Sequence, residues 1–270
     1  MTRNARIWRW VALLGALVIA VFPFYAMVVL SLKPGQSLSF PEALAPWPLS
    51  IHAYDTVLSD GRILRWLANT TIYSVVSTVI VLLISAMAAY AFARRRFPGS
   101  NAVFWVIIAM MMVPYHVTLI PTFMIVAEFG GVNQYWGLIV PTLANAQAIF
   151  LMRQFIAGLP DELFEAARID GAGEWRVFAT LVLPLCKPIL ATLGVFVFLW
   201  HWNDYLWPLI IAKSDAMRTL TVGLASMQQE VVPLSVLLAG ATLSFLPIFV
   251  AYLFAQRSFR QGSSMAGIKG

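Results

Sequence analysis

Charge is scarce in this chain. Only 11% of its 270 residues are Asp, Glu, Lys or Arg, while 60% are hydrophobic, eighteen Phe and ten Trp among them. An ordinary soluble domain carries roughly 25% charged residues, so there is too little charge here to clothe a water-facing surface, and the composition implies an integral membrane protein. Cysteine is scarcer still. Cys186 stands alone, which excludes an internal disulfide, and no Cys/His cluster has metal-ligand spacing. No G-x-x-x-x-G-K-[ST] sequence occurs, so the chain has no loop that cradles ATP in the P-loop manner. Nothing marks a catalytic constellation. The net charge of +6 lacks the aromatic-interleaved patch of a nucleic-acid binder, and basic residues beside apolar spans have a simpler use in fixing topology.

What is abundant is long apolar sequence. Crossing about 30 Å of hydrocarbon at 1.5 Å per residue takes about twenty mostly apolar residues in a helix, and lipid leaves no other open backbone solution. Six windows qualify: 10–32, 67–93, 97–127, 129–152, 188–212 and 231–256. The first follows Arg3, Arg6 and Arg9 but is too long for a secretory signal and has no small-x-small cleavage site after it, so an uncleaved anchor is expected. With the N-terminus in the cytoplasm only Lys33, Arg62, Arg65, Lys213 and Arg218 of the eighteen basic residues fall outside. That distribution obeys the positive-inside rule and returns the C-terminus to the cytoplasm. The expected fold is therefore an all-α membrane protein with six transmembrane helices. The predicted organisation is a first span with a long outer loop over 1–66, a five-helix core over 67–257 with a cytoplasmic loop at 158–182, and a tail over 258–270.

Two features of the spans suggest how they pack. Ser85, Ala86, Ala88, Ala89, Ala91 and Ala93 form a small-residue run at the inner end of the second span, where another backbone has room to approach. Prolines at 114, 121, 141, 184, 188, 208 and 247 sit in or beside spans, each removing a backbone hydrogen bond. His116, near two of them, is expected to be a packing residue.

The segment "LPDELFEAARIDGAGEWRVFATLVLPL" (159–185) is different. It holds five of the chain's twelve acidic residues. Pro160 suits a first helical turn, and Asp161 and Glu162 lie where a helix N-terminus favours negative charge. Leu163, Ala166 and Ala167 fall at i, i+3, i+4 and predict one small apolar face, with Glu165 and Arg168 projecting elsewhere. Gly171 is placed to end the helix in a left-handed conformation, and Trp175, Phe178 and Leu181 begin a second apolar face. Anionic headgroups repel an acidic first turn and alanines insert weakly into lipid, so the short helix reads as a docking knob for a cytoplasmic protein rather than an interfacial anchor.

The spacing of Glu165, Ala166, Ala167, Gly171, Leu181 and Pro184 resembles the EAA loop of permease subunits of ATP-binding-cassette importers, with Leu181 where that pattern usually has Ile, a volume-conserving exchange. The stretches "AYAFARRRFPG" (89–99), "FLMRQFIAGLPDELFEAARIDGA" (150–172), "WNDYLWPL" (202–209) and "AGIKG" (266–270) are similar to the carbohydrate branch, the six-span subunit type of the maltose and glycerol-3-phosphate systems with a MetI-like, type I importer domain. The resemblance implies that Glu165, Ala166, Ala167, Asp170 and Gly171 couple the spans to a separate ATPase, which binds the ATP and Mg. It implies no cofactor in this chain. It further implies a second permease subunit as a heterodimeric partner, two ATPase copies, and an extracytoplasmic solute-binding protein that meets the outer loops 33–66 and 213–230, all at the plasma (inner) membrane.

Within the spans His201, Asn203 and Asp204 are costly groups to hold near lipid and are candidates for a substrate path. Trp200, Trp202, Tyr205 and Trp207 surround them, and aromatic faces with amide or carboxylate groups suit a sugar. Asn145 and Gln147 in the fourth span are weaker candidates for the same path. An ion-coupled secondary transporter is the alternative; it calls for midplane ionisable relays and paired broken helices in two symmetric halves, and the sequence shows neither.

Overall fold

The computed structural model describes residues 3–34, 44–95, 97–230 and 232–266. Every regular element among them is helical. Two compact units emerge: residues 1–67 with 222–249, and residues 68–221 with 250–270.

In the first unit, α1 (Arg3–Ser31) is an unbroken 29-residue helix with most of its large apolar side chains exposed, Trp8 and Ile19 above 70%. In water such a surface would be untenable, and it is what a lipid-facing span requires. Its end is tied down through polar contacts. Lys33 is buried, and its ammonium donates to the carbonyls of Ala45 (2.5 Å) and Trp47 (3.0 Å), while Ser31 and Tyr54 hydroxyls meet at 2.7 Å. The short helix α2 (His52–Ser59) buries Ala53 and Val57. Trp66 is 1% exposed and lies over Gly223, where an added Cβ would come within 2.1 Å of the indole.

The second unit is organised around α3 (Arg62–Arg94), a 33-residue helix without internal proline. The small-residue run behaves as expected. Ser85, Ala86 and Ala89 are buried, and Val81, Ala86 and Ala89 pack with Ala148, Met152, Ile156, Phe164, Phe178, Val182 and Leu193 in one core.

Among the described residues, only the windows 10–32 and 67–93 are single helices long and apolar enough to cross a membrane. The expected helical windows 97–127, 129–152 and 188–212 are each divided into shorter helices. The first of these is α4 (Ser100–Met110) and α5 (Tyr115–Glu128), bent by 102°. Pro114 stands at the corner with φ −60° and ψ 132°, and the ring also bars the preceding residue from helical geometry. The second is α6 (Tyr135–Ile139), a 3-10 turn (Val140–Thr142) and α7 (Ala146–Ala157), bent by 47°. Asn145 caps α7 by accepting the Ala148 N–H at 2.8 Å.

After α8 (Asp161–Ile169) come α9 (Glu174–Val177), a π turn (Phe178–Val182) and α10 (Leu183–Leu185), which turns by 75° into α11 (Lys187–Trp202). Pro184 has no N–H to offer the preceding turn, and a π turn just before it takes up the mismatch. The window 188–212 itself breaks again at Asn203, before α12 (Leu206–Ile211). The expected outer loop 213–230 is largely the helix α13 (Leu220–Gln229). In the sixth window Val231 lies outside the described residues, and α14 (Leu234–Ala266) is apolar over Leu234–Val250. Of the outer loop 33–66, residues 35–43 lie outside the described residues. So do Arg96 and residues 267–270, which hold most of the "AGIKG" stretch. His116 is exposed rather than packed, its ring edge-on to Tyr115.

Candidate functional site

Two places in the second unit gather the residues singled out by sequence. At one end is α8. Asp161 and Glu162 occupy its first turn and Arg168 its last, which complements the helix dipole at both ends. Gly171 terminates it at φ +72°, with Ala172 N–H reaching back to the Ala167 carbonyl at 2.9 Å and Gly171 N–H to that of Arg168 at 3.0 Å, a left-handed C-terminal cap.

The face of α8 turned to the core is a different one from the small Leu163–Ala166–Ala167 face expected to meet a partner. Phe164, 5% exposed, is the residue that enters the core, with Ala167 packed beside it, whereas Leu163 and Ala166 are exposed. A single ring fills the space between α3, α7 and α9 that several alanines would leave open. On the second apolar face Trp175 is 70% exposed and meets buried Phe178 edge-on at 6.1 Å. Glu165, Asp170 and Gly171 are exposed as a docking surface requires, and Ile169 beside them is 86% exposed.

Three residues that sequence reasoning assigned only to topology, or not at all, hold α8 in place. Arg94 donates to the Asp161 carboxylate and to the carbonyls of Ile156 (2.8 Å) and Leu159. Glu174 accepts from Tyr90 Oη at 2.7 Å and from Arg95 Nη1 at 2.5 Å. The signal in the sequence was the "ARRR" run itself, more arginine than the positive-inside rule requires at one helix end.

Elsewhere in the unit, Asp204 lies at the break between α11 and α12. Its carboxylate accepts from Tyr73 Oη at 2.8 Å, and its carbonyl accepts from Thr221 Oγ1 at 2.6 Å. The Tyr73 ring is edge-on to His201 with centroids 5.0 Å apart. His201 is 1% exposed; its Nδ1–H donates to the Val197 carbonyl (2.7 Å), and Nε2 faces Thr142 Oγ1 at 3.1 Å. Trp207 is equally buried, and its indole N–H donates to the Leu138 carbonyl at 3.0 Å.

Asp204 and His201 are thus brought together through Tyr73, while the polar atoms of the buried His201 and Trp207 bond to neighbouring protein groups. Asn145 is committed to capping α7. Asn203 and Gln147 are exposed, and Asn203 Nδ2 bonds back to its own helix at Leu199. Tyr73 is the member that sequence reasoning passed over. The spacing Asn69, Tyr73, Ser77, one turn apart along the helix, is the sign that would have found it. Asn69 supports the same face, donating to the carbonyls of Ala216 (2.9 Å) and Arg218 (2.8 Å) and accepting from Tyr135 Oη.

Known proteins share this fold. Residues 81–262 match the family described as binding-protein-dependent transport system inner membrane component. The chain is 34% identical over 260 residues to the arabinooligosaccharides transport system permease protein AraQ of Halalkalibacterium halodurans, covering 93% of this chain and 92% of that protein. It is 34% identical over 261 residues to the sn-glycerol-3-phosphate transport system permease protein UgpE of Rhizobium meliloti, covering 93% of each. A solved structure of a bacterial ABC transporter involved in the import of the acidic polysaccharide alginate matches with a TM-score of 0.85 at 26% identity, over 95% of this chain and 98% of that one.

Proposed function

Because this chain belongs to the family of binding-protein-dependent transport system inner membrane components, we propose that α8 is the knob through which a separate ATPase drives it, and that its cargo is a sugar or sugar-like solute. The protein is an inner-membrane permease subunit of an ATP-binding-cassette importer and not an enzyme; a partner permease, an ATPase and a solute-binding protein complete such a system. The finer reading is a heterodimer of two related permeases on two ATPase copies that bind the ATP and Mg. Both termini and the loop 158–182 face the cytoplasm, and 67–257 forms the core.

The observation that carries the reading is the shape of α8. It offers Glu165, Ala166, Asp170 and Gly171 outward while Phe164 seats the same helix in the core joining α3, α7 and α11. Small residues let a cleft close around the helix, and exposed carboxylates meet a basic group of the partner through charge-assisted bonds. Movement of the cleft then reaches the spans through a packed contact instead of a loose loop. At the other site, Asp204 and Asn203, with Gln147, are the polar groups we assign to the substrate path, and His201, Trp207 and Asn145 fix the backbone that carries them. The arabinooligosaccharide and glycerol-3-phosphate relatives favour a polyhydroxylated cargo, which such groups hydrogen-bond.

The test is reconstitution. Co-expressed with a partner permease, an ATPase and a solute-binding protein, the chain is expected to co-purify with the ATPase and the second permease and to take up labelled arabinotriose or sn-glycerol 3-phosphate in liposomes. Glu165→Lys and Gly171→Leu are expected to leave the protein in the membrane and lower uptake about tenfold, within the usual range of coupling free energies. Full uptake by both variants, or uptake by the chain alone without nucleotide, defeats the reading; the latter result points to an ion-coupled carrier.

A further inference from the structure

The inner end of α3 carries Tyr90, Arg94 and Arg95, and these three side chains hold both flanks of the segment that the ATPase engages; the inference below rests on that docking role. The Arg94 side chain is 11% exposed. Its terminal nitrogen Nη1 donates to Asp161 in the first turn of α8, Nη2 to the carbonyls of Ile156 and Leu159, and the guanidinium carbon lies 4.2 Å from the Phe164 ring centre. Ile156 is in the last turn of α7, and Leu159 is in the joint that follows. The Ile156 carbonyl also accepts the Leu159 N–H at 3.2 Å, so Arg94 adds a tie between elements to the bonds that finish the helix end. One side chain of α3 therefore fastens the end of α7 to the start of α8, a task that needs the planar fork of Arg and that Lys does not perform.

The far flank is held differently. Glu174 opens α9, and its carboxylate receives Tyr90 and Arg95 together. The Arg95 and Glu174 side chains are 50% and 45% exposed. So open an ion pair contributes little to stability, which leaves stability a poor reason for two donors of one helix to converge on that carboxylate. Between the two grips, Glu162, Glu165 and Asp170 take no part in the ion pairs found among the described residues.

We propose that Arg94, Tyr90 and Arg95 are positioning residues that make the inner end of α3 and the coupling helix α8 move as one body. Without them α8 is joined to the bundle by the Phe164 contact and by two short hinges, 158–160 and 170–173, the second holding Gly171 and Gly173. Hinges of that kind absorb displacement. With both flanks gripped, load on the exposed face of α8 passes to α3, which is unbroken where the path through α9–α11 turns by 75°. The same helix carries Tyr73, the donor to Asp204, about 30 Å further along at 1.5 Å per residue.

The experiment uses the importer purified with its partner permease and ATPase, spin-labelled at Glu162→Cys on α8 and Met87→Cys on α3, both exposed; the native Cys186 is buried. The distance between labels is read without nucleotide and after trapping with ATP and vanadate, and uptake per ATP hydrolysed is read in liposomes with labelled arabinotriose and sn-glycerol 3-phosphate. With the grips intact the distance is expected to change by less than about 2 Å between the two states, and in Arg95→Glu or Glu174→Arg by about 5 Å, the scale of one helical turn. Uptake per ATP in those single variants is expected to fall about fivefold or more. The exchanged pair R95E/E174R restores both readings, an outcome that mere loss of folding does not give. Tyr90→Phe and Arg94→Lys, which keep size or charge, shift them in the same direction.

A label distance that moves by about a turn with all grips intact overturns the proposal. So do grip variants that change neither distance nor uptake per ATP, or an exchanged pair no better than its single members. If no ATPase co-purifies with the unaltered chain, the docking role falls and this inference with it. A retained ATPase with label distances in the grip variants like those of the unaltered chain removes this inference alone.

Discussion

The ring of Phe164 lies 4.2 Å beneath the guanidinium carbon of Arg94, so the buried anchor of α8 is capped by the same cation that ties its first turn to α3. Plug and grip meet in one place. That single aromatic ring seats a short, acidic, exposed helix in the core of the bundle.

Truncating that ring tests the seat. Phe164→Ala is expected to lower the stability of the purified complex by about 3 kcal/mol or more, the usual cost of removing a buried aromatic, and to abolish uptake. Leu163→Ala, one residue earlier and 38% exposed, is expected to stay within about 0.5 kcal/mol of the parent. Thermal unfolding in detergent with parallel uptake assays checks both; equal effects would show that α8 is not held by Phe164.

Gly171 is required for its backbone and not for room. An added Cβ meets nothing within 4 Å, yet φ is +72°, a conformation that costs a residue with a Cβ about 1–2 kcal/mol. Asn, which tolerates that region, should retain most uptake, Ala less and Val least. The measurement is ATPase co-purification and uptake across the series, and Ala performing as well as Gly would remove the strain argument.

At Gly223 the reverse holds. Its difficulty is space, because an added Cβ would lie 2.1 Å from the indole of Trp66, which is 1% exposed and has nowhere to move. Gly223→Ala is expected to destabilise the protein by about 1–3 kcal/mol through overpacking, and pairing it with Trp66→Leu should recover part of the loss. Melting temperatures of the single and double variants decide, and a single variant that melts like the parent excludes the tight contact.

Tyr73→Phe removes the hydroxyl that donates to Asp204 and leaves a partly buried carboxylate one donor short, at a cost of about 1–3 kcal/mol. Uptake is expected to fall. Asp204→Asn on top of Tyr73→Phe should add less than Asp204→Asn alone, because contacting residues are coupled. Strict additivity in a double-mutant cycle on uptake would show that the hydrogen bond has no part in transport.

Composition, span positions, the acidic knob and its glycine terminator were all readable along the chain, because each depends on neighbours within a turn or on transfer to lipid. The family resemblance of "EAARIDGA" was readable for the same reason. Where helices bend was only partly so. Pro114 and Pro184 mark corners, but Pro23, Pro121 and Pro247 lie inside helices that continue, since packing around a ring decides whether its missing bond opens a kink.

The tertiary structure alone decided which groups are outward and which are committed. Glu174 and Tyr90 stand 84 positions apart, Tyr73 and Asp204 stand 131 apart, and no local pattern joins them. His201 and Trp207 looked like ligands because polarity in an apolar span is costly, a correct premise with two resolutions. A polar group there either faces a passage or finds a protein partner, and only the folded packing of α3, α6 and α11 shows that these two found Val197, Thr142 and Leu138.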